Sequence, residues 1–125
     1  MVNQEKAQAI VDTYLSGLVD GELNTVLALY ADDAVVEDPV GSEPFVGKAV
    51  LTDFYSKAVD MVVAAKCHGP VRTANNEIAF SFEIHALFEG QKSKIDIIDH
   101  FVLNDEHKII TMRAFWSDAN MSPVT

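Results

Sequence analysis

With 125 residues, 49% of them hydrophobic and including seven Phe, three Tyr and one Trp, the chain can form one domain (1–125) with a real core, which excludes a disordered sequence. A formal net charge of -10 argues against nucleic acid and anionic membrane surfaces as partners and favours a neutral or weakly polar ligand over a phosphate. A single cysteine, Cys67, rules out a disulfide scaffold. Met1–Lys6 lacks the apolar core of a signal peptide, and no apolar run approaches the roughly 18 residues of a spanning helix, so a cytoplasmic protein is expected.

Residues 4 to 19 place Ala7, Ile10, Val11, Tyr14, Leu15 and Leu18 along one helical stripe. Asn3 is suited to cap this helix, and Asp20-Gly21 to end it. Leu23, Val26, Leu27 and Tyr30 predict a second, shorter helix that stops near Ala31-Asp32-Asp33. Ala34–Asp38 reads as a short strand closed by Pro39, and Val40–Pro44 as a loop. Gly47 opens a third predicted helix, Lys48 to Val59, with Val50, Leu51, Phe54, Tyr55 and Ala58 on its buried side.

Beyond it the apolar period becomes two. Met61 to Cys67 and Val71 to Thr73 read as strands, and Asn75-Asn76 as a turn. Ile78, Phe80, Phe82, Ile84, Ala86 and Phe88 then alternate without a break, and Glu89-Gly90 makes a hairpin to the next strand. A final strand places Ile110, Met112, Ala114 and Trp116 on one face, and residues 117 to 125 read as a tail. The pattern predicts an α+β domain, three N-terminal helices packed on one face of a curved, mainly antiparallel sheet. Its outer face, with Ile98 and Phe115 among isolated charges, suits a subunit interface and so a homodimer.

The stretch Ile95–Leu103 carries the most chemistry. In a strand, Ile95, Ile97, Asp99, Phe101 and Leu103 share a face, so the register that buries four apolar side chains also buries Asp99. Such a carboxyl either meets a lysine or arginine or takes up a proton and becomes a neutral hydrogen-bond donor. Asp38, just before Pro39, is by position alone a turn initiator, and otherwise a general base at the rim of an apolar pocket. Tyr14, Tyr30 and Tyr55, one per predicted helix and all inward, are ordinary core tyrosines or one hydrogen-bonded cluster. His68, His85, His100 and His107 lack metal-ligand spacing, so no metal site is expected, and His100 is placed on the outer face. Neither a serine-hydrolase elbow nor a Gly-rich phosphate loop is present.

Tyr14 on the first helix, Leu29–Ala34, Val36–Pro44, Phe54-Tyr55, Ile98–Phe101 and Met112–Trp116 together resemble the bacterial steroid Δ5-3-ketoisomerases. These belong to the cone-shaped nuclear-transport-factor-2-like, or SnoaL-like, superfamily. The resemblance implies an apolar pocket enclosed by the sheet and a 3-ketosteroid substrate. It implies Asp38 as the base that carries a proton through a dienolate, with Tyr14 and neutral Asp99 as donors to the carbonyl oxygen. Tyr55 and Tyr30 would hold the Tyr14 hydroxyl, and Phe54, Phe82, Phe101, Met112 and Trp116 would pack on the substrate. No metal or organic cofactor is expected, because metal-ligand spacing is missing and the base and donors are self-sufficient. The joint presence of Tyr14, Asp38 and Asp99 tips both aspartates toward function. The superfamily fold alone would equally suit a polyketide cyclase, a dehydratase or a carrier of a steroid-like ligand.

Overall fold

The structure, a computed structural model, describes residues 1–124. The first helix, α1 (Gln4–Val19), begins where the Asn3 side chain accepts from the Lys6 amide, and it buries Tyr14 with its apolar stripe. A second helix, α2 (Leu23–Leu27), has only five residues. Two strands follow, β1 (Tyr30–Glu37) and β2 (Phe45–Val46), and then α3 (Lys48–Met61). The remaining strands are β3 (Val62–Cys67), β4 (Arg72–Ala74), β5 (Glu77–Phe88), β6 (Gln91–Leu103) and β7 (Ile109–Phe115). After a short 3₁₀ turn at Asp118–Asn120 comes β8 (Met121–Pro123).

The sheet order is β2-β1-β7-β6-β5-β3, with β4 added to β5 and β8 to β6. Every pair is antiparallel except β1 with β7, so the sheet is mixed. The long hairpin of β5 and β6 turns at Glu89 and Gly90, both at positive φ (53° and 79°), as a tight two-residue connection demands. α1 and α3 pack on the inner face over Phe80, Phe82, Phe101 and Met112. No described helix is long and apolar enough to cross a membrane.

Three sequence expectations need correction. Tyr30 is not the end of a helix but the first residue of β1, paired with Ile109 of β7, so two strands separate α2 from α3. That long-range parallel pairing has no local signature, and it overrides a helix too short to hold itself together. In β7 the inward residue is Ile109 rather than Ile110, because a register shift between Val102 and Leu103 reverses the facing of the strand's start. The supposed tail contains β8, whose Met121 and Pro123 stand opposite Ile95 and Ser93.

Candidate active site

Register decides the position of Asp99. It stands between Phe80 of β5 and Ala114 of β7, on the pleat that turns inward, and is 2% exposed. Among the described residues no lysine or arginine forms an ion pair with it. Burial pushes its carboxyl well above the usual carboxylate range, and the nearby Asp38 charge acts in the same direction. The cation-paired alternative is therefore not realised, and the neutral acid is favoured.

The three tyrosines meet, although they come from α1, β1 and α3 rather than from three helices. The Tyr14 and Tyr55 hydroxyls are 3.0 Å apart, and Tyr55 also hydrogen-bonds Tyr30. Burial raises all three phenols well above their ordinary pKa, so they stay protonated at neutral pH. The Tyr14 ring stands edge-on to Phe101 with centroids 5.3 Å apart, which fixes its direction.

Asp38 follows the end of β1 and is half-buried. Its loop is held by Val40, whose amide donates to the Ala114 carbonyl at 2.8 Å, and by Ser42, whose hydroxyl donates to the Pro39 carbonyl at 2.7 Å. The Trp116 indole N–H donates to Asp38 Oδ1 at 2.7 Å. Burial raises the Asp38 carboxyl, and this hydrogen bond pulls the other way. The sequence reading gave Trp116 a packing role only; its bond to Asp38 was missed. The available signal was that a largely buried indole N–H needs an acceptor.

An inner chamber of about 60 Å³ has Tyr14, Asp38, Tyr55 and Asp99 in its wall. It adjoins a larger cavity of about 550 Å³, and Asp38, Phe54, Ile84 and Ile97 line both. Of the predicted packing residues, Phe54, Phe82 and Trp116 line one or both spaces. Phe101 and Met112 do not; both are fully buried in the core, with Phe101 wedged between Tyr14 and Phe80. Lys57, Met61, Phe88, Gln91 and Met121 line the outer cavity and were not anticipated.

On the opposite face, strand pairing collects what linear spacing did not show. His68, Glu83 and Asp96 bring potential ligand atoms within 4.8 Å of one another. Glu83 is already hydrogen-bonded by His68 at 2.9 Å and His85 at 3.2 Å, and Asp96 pairs with Lys94 at 3.7 Å. His100 lies on this face as expected, 2.7 Å from Glu77.

Comparison with known proteins gives the family of this α+β fold. The SnoaL-like domain family matches residues 11–112, and the chain belongs to that family. It is similar to a steroid Delta-isomerase of Nocardioides simplex, with 32% identity over 93% of this chain and 94% of the relative. Its fold is similar, at a TM-score of 0.91 and 23% identity over 99% of this chain and 100% of the other, to that of SalBIII. SalBIII is described as an epoxide hydrolase/cyclase-like enzyme in pyran ring formation in polyether salinomycin.

Proposed function

We propose that the protein is a steroid Δ5-3-ketoisomerase, moving a double bond from Δ5 to Δ4 in 3-ketosteroids. The observation that carries this reading is the inner chamber, where half-buried Asp38 shares a wall with buried Tyr14 and Asp99, two groups whose pKa burial pushes up. A carbon acid needs such a pairing of a charged base with neutral donors aimed at the developing oxyanion. The likeness to a steroid Delta-isomerase supports the substrate class.

In this mechanism Asp38 removes a proton from the carbon between the ketone and the double bond. The C–H electron pair moves into the ring, and negative charge collects on the carbonyl oxygen as a dienolate. Tyr14 and protonated Asp99 each donate a hydrogen bond to that oxygen. Protonated Asp38 then returns the proton two carbons along, which leaves a conjugated enone and restores the carboxylate. Tyr30 donating to Tyr55, and Tyr55 to Tyr14, leaves the Tyr14 proton free for the oxyanion, and such a chain strengthens its terminal donor. Phe54, Phe82 and Trp116 pack on the flat substrate, while Phe101 and Met112 support them from the core. Base and donors are the chain's own side chains, so the proton balance closes without a cofactor.

The same reading places a second copy on the outer sheet face, where Ile98 and Phe115 are 50% and 44% exposed. The test of function is to follow 5-androstene-3,17-dione by ultraviolet absorbance with purified protein. Growth of the conjugated-enone band is expected. Binding without conversion, and without proton–deuterium exchange at the substrate, would make the protein a carrier instead.

A further inference from the structure

The cavity is longer than the chemistry requires. Alternate residues of β6 form one continuous wall: Asp99 in the inner chamber, Ile97 in both spaces, then Ile95, Ser93 and Gln91 in the outer cavity alone. At a strand rise of about 3.3 Å per residue, Asp99 to Ser93 spans about 20 Å and Asp99 to Gln91 about 26 Å. A rigid four-ring nucleus measures roughly 10 Å from its first-ring oxygen to its far ring, at carbon–carbon lengths of about 1.5 Å. With its carbonyl at Asp99, the nucleus ends near Ile95. Ser93, Gln91 and everything beyond them are left without a ring to touch.

Two features of the outer cavity bear on what would occupy it. Phe88 and Met121 line the cavity and are nevertheless 60% and 40% exposed, so apolar surface stays open to water along the wall. Lys57 is the one cation among the lining residues, and among the described residues it forms no ion pair. It projects from α3 one turn after Phe54.

We infer that the preferred substrate is a 3-ketosteroid whose far ring carries an extended apolar side chain ending in a carboxylate, with the chain along the outer cavity and the acid on Lys57. The orientation, carbonyl innermost, rests on the isomerase reading. The chain's net charge of -10 opposes an anion at long range, so the acid has to be held by a local cation. At physiological ionic strength, charges beyond about 8 Å are largely screened, and Lys57 acts at contact.

The test is binding of two enone products read from fluorescence of Trp116, the only tryptophan and part of the cavity wall. One ligand is 4-androstene-3,17-dione, without a tail; the other is 3-oxo-4-cholen-24-oate, with a carboxylate tail. The tailed acid is expected to bind at least about tenfold more tightly, because it buries several further methylenes. Lys57→Glu, at an exposed position where folding is not at stake, is expected to cut that affinity ratio about tenfold; Ser93→Phe, which fills the outer half, is expected to reduce it as well. Equal affinity for the two ligands, or a ratio that survives Lys57→Glu, overturns the inference. Turnover of 5-androstene-3,17-dione separates the two proposals. Conversion without a tail preference sinks only this inference, whereas a tail preference without conversion sinks the isomerase assignment and leaves the outer cavity a binding site for a tailed acid rather than a substrate site.

Discussion

Replacing Asp99 tests the neutral-donor assignment through two independent readouts. Asn keeps a donor of nearly the same size, whereas Leu keeps burial and donates nothing. Losing one oxyanion donor costs on the order of 10²–10³ in rate, about 2.7–4 kcal/mol of transition-state stabilisation. The Leu variant should therefore turn over clearly more slowly than Asn, and Asn more slowly than the parent, in the enone absorbance assay. Stability supplies the second readout. Asp99 has a raised pKa in the folded state, so below about pH 3.9 it is protonated folded and unfolded and costs nothing. Above that pH the unfolded chain releases this proton while the folded protein keeps it. The parent then loses about 1.4 kcal/mol per pH unit until the folded-state pKa is reached. Neither Asn nor Leu carries this penalty. Urea unfolding at a series of pH values upward from about 4.5 should show the Leu variant gaining on the parent until the folded-state pKa is reached. Equal rates for Asn and Leu, or a stability difference that does not grow with pH, would refute the neutral-donor reasoning.

Asp38→Asn should lower turnover by about 10²–10⁴-fold while steroid binding, read by fluorescence titration, survives. Trp116→Phe removes the 2.7 Å hydrogen bond that holds the Asp38 pKa down. The acid limb of its kcat/KM profile should move to higher pH, and an unmoved limb would break the link between indole and base. Sedimentation at micromolar concentration should give a dimer for the parent and a monomer for Ile98→Glu, since that change puts a charge on the apolar part of the outer face. A parent that sediments only as a monomer would remove the proposed interface.

Much of this arrangement is written in short-range patterns. The alternation of Ile95, Ile97, Asp99, Phe101 and Leu103 determines which way Asp99 points, because any other register would expose the apolar set. Asn3 and Gly21 mark both ends of α1, and Glu89-Gly90 marks the long hairpin. Long-range effects are where the pattern fails. Tyr30 reads as helical until β7 pairs with it, and Met121-Ser122-Pro123 has little strand character until β6 offers an edge. Phe101 and Met112 show another limit: period two identifies the inward face, but not which inward side chains reach the cavity and which stop in the core. The Trp116–Asp38 bond joins residues 78 positions apart, so the sequence signals that a buried indole N–H needs an acceptor but not which one.

The tyrosine chain ties the chemistry to native-state fluctuation. Its hydroxyls come from α1, β1 and α3, so no single element can hold it. A sub-global opening that lets one helix slip while its own backbone bonds persist would separate Tyr14 from Tyr55. Turnover should then vanish in mild denaturant before the far-ultraviolet circular dichroism changes, whereas the near-ultraviolet aromatic signal should fall in step with it. The site thus serves as a gauge of side-chain packing, failing when the interior loosens rather than when the secondary structure melts.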